Sequence, residues 1–447
     1  MTAAPGRPWA EGEPAHQFQV PAYQPPAHLL GPFRVPDDTS TQVMPAWRPE
    51  ETVTAPLPLG QPEPVPAPRR NRIIALVPVH NGEADLAPAI EALLAQTRPL
   101  DEIIIISDNS TDGTVAVASR YPVTVIESAG NRYRKSGALN QAWRKYAQDA
   151  DYVVCIDDDT RLPPFAVEHF EAEMTEDPGV GGISCQVVMR GSSILSRIQR
   201  AEFAQSTVLS RNRGWVRVIS GTGCIFRNEA LREAALLPGQ EGPWTYRSVV
   251  EDYHLTFQLR KLGWLCIMSK DVWCDTGSMP SVKALWHQRV KWQSGTIGDL
   301  INFGFNRMNW REWMQQFYGL ICVAFWILWI SLNGTAWALG GLHPNIWWVI
   351  FPAIFAGTEC FYAWHIHGRD WKDMLLAVSM VKMMIYTFLC MGWNLASWWI
   401  ILRGKQKDLW AAQYVADGTD KVLGEGMSDA GPASEEDRRP APQALCR

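Results

Sequence analysis

The sequence has no surplus of positive charge: 41 lysines and arginines stand against 46 aspartates and glutamates, a net charge of −5 over 447 residues. It also has no basic aromatic platform, so no nucleic-acid partner is expected. There is no CxxC pair. The nine cysteines (residues 155, 185, 224, 266, 274, 322, 360, 390 and 446) show no His/Cys ligand spacing, which argues for unpaired, mostly buried thiols in a reducing setting. The first seventy residues contain no apolar run of the kind a secretory signal needs, and the expectation is an amino terminus in the cytoplasm. Those residues hold 16 of the 31 prolines and show no periodicity, so residues 1–70 read as a flexible tail.

From Arg72 the pattern changes to alternating strands and helices. Ile73 to Val79 is a continuous apolar run suited to a strand buried on both faces, and Ile103 to Ile106, Val123 to Ile126 and Tyr152 to Ile156 follow it. Between them Leu86 to Ala95, Thr114 to Ser119 and Gly137 to Ala147 have helical character. This predicts an α/β fold over about residues 71–285, with a mostly parallel, doubly wound sheet whose ligands line up along the carboxyl ends of its strands.

From Trp286 onward, where 15 of the 22 tryptophans lie, the chain becomes membrane-like. Residues 286–312 read as amphipathic interfacial helix and 313–410 as transmembrane and interfacial helices. Phe317 to Leu339 carries no charge, Ile346 to Trp364 carries only Glu359, and Met374 to Leu402 is interrupted by Lys382. The last stretch is too long for one upright helix, so an interfacial segment over about 370–384 and a span over about 385–402 are expected. Trp310, Trp313, Trp347, Trp348, Trp398 and Trp399 stand near segment ends, as an aromatic belt requires. The basic residues Arg307 and Arg311, His365 to Lys372, and Arg403 to Lys407 all ask for the inner side, yet three full crossings would put the last group outside. Either the last stretch re-enters or the charge rule fails there. Residues 417–447 read as a second flexible tail.

Candidate chemistry gathers at predicted strand ends. Asp157, Asp158 and Asp159 follow the Tyr152 strand, and carboxylates this close repel unless a hard cation such as Mg²⁺ or Mn²⁺ neutralises them. The simplest such cation carries a phosphorylated substrate; the plain alternative is an acidic loop capping the next helix. Pro78, His80 and Asn81 end the first strand. Asp108 and its neighbours through Thr114 end the second, either as helix-start chemistry or as a base pocket in which Asp108 accepts an imide N–H. Lys135, at the start of a helix with Gly137 and Asn140, supplies a compact charge for a diphosphate, or else belongs to a solvated basic loop.

In this order and spacing the chain, from about Arg72 to Trp292, resembles the family 2 inverting glycosyltransferases, the group that includes cellulose, chitin and hyaluronan synthases. Asp108 with Asp112 resembles that family's acidic nucleotide loop, with Ser107 where many members have Asp. Lys135, Gly137 and Asn140 match Lys-x-Gly-x-x-Asn, and Asp157 and Asp159 match Asp-x-Asp. Glu251 and Asp252 match Thr-Glu-Asp with Val250 in place of Thr, and Gln288, Arg289, Lys291 and Trp292 resemble Gln-x-x-Arg-Trp with Lys291 in place of Arg. Gly221 and Thr222 resemble the loop that floors the acceptor site.

The resemblance implies a GT-A (Rossmann-like) nucleotide-sugar domain followed by C-terminal membrane helices. It implies a UDP-sugar donor, and a divalent metal, Mg²⁺ or Mn²⁺, on Asp159 with Asp157. Asp252, beside Glu251, is implied as general base, Lys135 as a diphosphate contact, and Trp292 as a stacking face for an acceptor sugar. The expectation is an integral membrane enzyme whose catalytic domain faces the cytoplasm and whose acceptor is a glycan, lipid or protein. The Gln288 to Trp292 element favours processive synthesis. The few apolar stretches favour single additions, unless a homo-oligomer supplies more helices. Rival classes are a non-catalytic UDP-binding scaffold and a nucleotidyltransferase, which would release pyrophosphate.

Overall fold

The computed structural model describes residues 69–341, 343, 345–404 and 409–419. The tails expected over 1–70 and 417–447 therefore lie almost wholly outside the described residues. Strands β1 (Ile73–Val79), β2 (Glu102–Ser107), β3 (Thr124–Glu127) and β4 (Tyr152–Ile156) alternate with helices α1 (Leu86–Leu94), α2 (Thr114–Ala118) and α3 (Arg134–Tyr146). Every residue of β1 and β4 is buried, which is why each reads as an unbroken apolar run. There follow α4 (Ala166–Glu176), β5 (Val180–Met189), α5 (Ile194–Arg213), β6 (Gly223–Arg227), α6 (Asn228–Ala235), α7 (Glu251–Lys261) and β7 (Leu265–Thr276).

The seven strands form one sheet in the order β3-β2-β1-β4-β6-β5-β7. All run parallel except β6, which is antiparallel to both β4 and β5. Helices α1 and α4 fill one face with Leu86, Ile90, Phe170 and Met174, and α3, α6 and α7 fill the other with Leu139, Trp143, Leu231 and Leu255. The strand order reverses between β1 and β4, so the crevice beyond their carboxyl ends is the place where an open α/β sheet takes a ligand. The reversal of β6 matters there: its register sets Gly223 opposite Ile156, so the strand brings its amino end to the carboxyl end of β4.

Helix α8 (Val282–Phe303) leads out of this domain into α9 (Trp310–Ala338), α10 (Trp347–Trp364), α11 (Trp371–Val378), α12 (Val381–Arg403) and α13 (Leu409–Asp417). Among the described residues two helices are long and apolar enough to cross a membrane: α9, and α12 from Met384 to Arg403. Helix α9 begins seven residues before the expected span, at Trp310. Helix α10 does not reach that standard; four tryptophans and tyrosines, Pro352 and Glu359 dilute its 18 residues. The last stretch, expected to divide at about residue 384, is broken at Ser379 and Met380 between α11 and α12, with Met380 at φ 57°.

These helices dock on the α/β domain through charge as well as apolar contact. Asp370 and Asp373 form a capping box at the start of α11. Buried Arg197 on α5 reaches Asp373 at 2.7 Å, and Arg200 reaches it at 3.4 Å. Ala201 and Ala204 of the same helix pack on Ala363, Ile366 and Ala377. Between α10 and α12, Lys382 pairs with Glu359 at 2.7 Å, which gives both charges a partner inside an apolar environment.

Candidate active site

Two turns shape the crevice. Asn81, after β1, and Asn109, after β2, sit at φ 54° and 52°, a region that asparagine tolerates better than most residues. The His80 ring Nδ1 lies 2.8 Å from the Asp108 carbonyl, and Asn81 Oδ1 accepts from the Thr111 N–H at 2.8 Å, so the two turns brace each other. Buried Asp108 is held tightly: its Oδ1 accepts from Asn109, Ser128 and Asn131 at 2.9, 2.7 and 2.7 Å. Asp112 clamps the same loop, accepting from the N–H groups of Glu83 and Thr114.

At the start of α3 the Lys135 ammonium lies against Asp157 Oδ1 and 3.8 Å from Glu251. Burial by itself would depress the lysine, but Asp157 and Glu251 outweigh it and hold the proton firmly. Gly221, two residues before β6, leaves room for that ammonium: a Cβ there would stand 2.8 Å from it. Glu251 and Asp252 open α7, where the helix amino end favours negative charge. Burial raises the pKa of both carboxyls, with Lys135 opposing it. Asp252 Oδ1 accepts from the Tyr253 N–H at 2.7 Å, which fixes its orientation.

Asp159 accepts from the Thr276 hydroxyl at 2.9 Å and the Gly277 N–H at 2.8 Å. Burial and the charge of Asp157 raise its pKa in spite of those bonds, and burial with Asp159 and Asp157 raises that of Asp158 further. Mutual repulsion of this kind is what a hard divalent cation relieves, so the residues present fit such an ion. Among the described residues no group of three His, Cys, Asp or Glu side chains is placed to hold a metal. Asp157 and Asp159 would leave the rest of the coordination sphere to oxygen atoms of the donor.

Residues 288–292 divide between two tasks. Positions two apart on a helix point in nearly opposite directions, and α8 uses this with Lys291 and Arg289. Lys291 faces Glu251, Asp252 and Lys135, and burial together with Lys135 pushes its pKa down to about 7 against the pull of the acids. Arg289 turns the other way, to Glu202 at 2.6 Å and to the Gln288 side chain at 2.6 Å. Trp292 packs beside Val250, Tyr253 and Leu300, the first two of which flank Glu251 and Asp252 in the sequence.

Gly137 and Asn140, both expected at the donor, have structural duties. A Cβ at Gly137 would fall 1.8 Å from Asn131 Oδ1, so this glycine makes room for the side chain that holds Asp108. Asn140 is fully buried and spends its amide on the Trp244 backbone, donating at 2.6 Å and accepting at 3.2 Å. Pro78 lines a small apolar cavity behind Lys135, with Cys155, Cys224 and Trp244. Thr222 meets the acidic loop through its carbonyl, which accepts from the Asp157 N–H at 3.3 Å.

Sequence reasoning missed α13. Tyr414 stacks on His80 with ring centroids 4.9 Å apart, the Arg134 guanidinium lies 5.6 Å from the same ring, and Trp410 covers the Lys291 ammonium at 3.1 Å. The signal available in the sequence is the apolar, aromatic spacing of Leu409, Trp410, Tyr414 and Val415, hidden by the polar residues that follow.

The crevice at the sheet's switch point is lined by the lysines Lys135 and Lys291 and the carboxylates Asp157, Glu251 and Asp252, which defines the class as an α/β protein with a charged site at the carboxyl ends of its strands. Residues 74–234 match the model of Glycosyl transferase family 2, and this segment is a family 2 glycosyltransferase domain. The chain is 25% identical over 229 residues to a poly-β-1,6-N-acetyl-D-glucosamine synthase of Staphylococcus epidermidis, covering 49% of this chain and 53% of that protein. It is 27% identical over 249 residues to the synthase of the same name from Staphylococcus aureus, covering 53% of this chain and 57% of that protein. The chain thus spans about half the length of these relatives. Among solved structures it is similar to a mannosyltransferase of Pyrobaculum calidifontis in complex with GDP-Man and Mn²⁺. That match has 18% identity and a TM-score of 0.49, and covers 76% of this chain and 89% of the other.

Proposed function

We propose that this protein is a membrane-associated inverting glycosyltransferase that moves N-acetylglucosamine from its UDP-linked form to a hydroxyl of a growing β-linked glycan. The observation that carries the reading is the convergence of Lys135, Asp157, Glu251, Asp252 and Lys291 at one end of the sheet. The relatives' shared name supports the sugar and the polymeric product. The resemblance of the Asp108, Asp157-x-Asp159 and Glu251-Asp252 elements supports the UDP donor and the inverting course.

In this mechanism Asp108 reads the base, and Lys135 and Lys291 neutralise the diphosphate. Asp157 and Asp159 would hold Mg²⁺ or Mn²⁺, which when bound withdraws charge from the leaving diphosphate. Asp252, its basicity raised by burial, takes the proton of the acceptor hydroxyl as that oxygen attacks the anomeric carbon from the face opposite the diphosphate. Trp292 presents a flat surface to the acceptor sugar. The contacts of α5 with Ala363, Ile366, Ala377 and Asp373 set the catalytic domain against the apolar helices, and the basic flanks of those helices support a cytoplasmic face.

The test is UDP release by the detergent-solubilised protein over a panel of UDP-sugars with Mn²⁺ or Mg²⁺ and a β-1,6-linked N-acetylglucosamine oligomer. Metal-dependent release from UDP-N-acetylglucosamine, with lengthening of the oligomer by mass spectrometry, is the expected result. Pyrophosphate as the product, or UDP binding without release under any donor and acceptor pair, would overturn it.

A pH dependence follows from Lys291. Its folded pKa is pushed down to about 7, so its charge, and its attraction for a diphosphate, is present below that pH and lost above it. The KM for the donor is expected to rise as pH goes from 6 to 8.5. Lys291→Arg, whose guanidinium stays charged throughout, should flatten that rise; an equally steep profile in the variant would remove Lys291 from the cause.

A further inference from the structure

We infer that Glu202 is a positioning residue for the acceptor: through Arg289 it sets the Trp292 indole. The inference rests on the glycosyl-transfer reading above and concerns a residue that no motif of the sequence singles out. Glu202 lies on α5, away from the crevice, and its Oε2 accepts both from Arg289 Nη2 at 2.6 Å and from the Tyr386 hydroxyl. The Arg289 side chain is 5% exposed. Its guanidinium carbon lies 4.4 Å from the centre of the Trp292 ring and 5.8 Å from that of Phe203, the residue next to Glu202. Phe203 meets Trp292 edge-on, with centroids 6.4 Å apart and planes at 84°.

The indole is therefore held by a cation on its face and by an aromatic edge, two contacts that are directional and not merely apolar. Both come from the Glu202–Phe203 pair, one directly and one through Arg289. Arg289 is an expensive choice if packing alone were needed, because its buried Nε finds no hydrogen-bond partner. Its guanidinium is held by the Glu202 carboxylate and the Gln288 side-chain oxygen. Without the Glu202 carboxylate the guanidinium has no counter-ion among the described residues, and the indole loses a contact that fixes its tilt. Tyr386 ties the same carboxylate to α12, so the acceptor platform is referenced to an apolar helix as well as to the catalytic domain.

The experiment uses full-length, detergent-solubilised protein with UDP-N-acetylglucosamine and a β-1,6-linked N-acetylglucosamine pentamer. Glu202→Gln is expected to raise the KM for the pentamer by about tenfold while the KM for the donor and kcat stay within about twofold. Glu202→Asp, which keeps the charge, is expected to recover most of the loss. Tyr386→Phe leaves the Arg289 pair intact, and a rise of about two- to threefold in the acceptor KM alone is expected from it. It carries the test if Glu202→Gln does not fold. Unmoved acceptor KM in the variants, or equal shifts in the KM values of donor and acceptor, would overturn the inference while leaving glycosyl transfer standing. A wild-type protein inactive toward this pair would instead sink the glycosyl-transfer reading, and this inference with it.

Discussion

Asp252→Asn is expected to bind UDP nearly as well as the wild type while its turnover falls by about two to four orders of magnitude, the range for loss of a general base. The asparagine oxygen can still accept from the Tyr253 N–H, so the start of α7 should keep its shape. What disappears is a proton acceptor whose affinity for protons is raised by burial. UDP affinity by calorimetry and UDP release under saturating donor separate the two properties. Glu251 sharpens the test because it stands one residue away, also buried, and faces Lys135 at 3.8 Å. If Asp252→Asn turned over normally, Asp252 would leave the mechanism, and Glu251 would be the remaining carboxylate at the start of that helix.

Asp159→Asn should be the second severe lesion, and of a different kind. Both of its oxygens accept hydrogen bonds, from Thr276 and Gly277, so the amide of the variant must point its NH₂ at a donor. The carboxylate charge is lost at the same time. Stabilisation of a leaving group by a bound ion is worth several kcal/mol, so turnover is expected to fall on the order of 10²–10³-fold at fixed Mn²⁺. Raising the metal concentration should recover part of it, which Asp252→Asn should not show. An unchanged Mn²⁺ titration would shift the ion to Asp157 and make Asp159 a loop-building residue.

Much of the nucleotide half was legible because its signals are local. Strands buried on both faces must be apolar throughout, so β1 and β4 could be read to within a residue, and the polar residues that follow them had to sit at the sheet's edge. The reversal of β6 was not legible: Gly223 to Arg227 is apolar whichever way it runs, and only the return of the chain from α5 decides its direction. The duties of Gly137 and Asn140 depend on partners six residues away and 104 residues away, which spacing in the sequence does not encode. The split between Arg289 and Lys291 was within reach, since helical geometry already sets them on opposing sides; the choice of side was not, because it needs the positions of Glu202 and Glu251.

Trp313, near the start of α9, packs with Val250 and Tyr253 of the catalytic domain, and the end of α10 and the start of α11 return to α5 through Ala363, Ile366 and Asp373. Helix α12 is tied to the same domain and to α8: Tyr386 bonds Glu202, Ser397 bonds the Val290 carbonyl, and Ile401 lies against Gly298. Both ends of the α9–α10 pair are thus anchored to one body, by two aspartates, a glutamate and the arginines that hold them, and a bilayer that received these two helices would have to receive them as a hairpin.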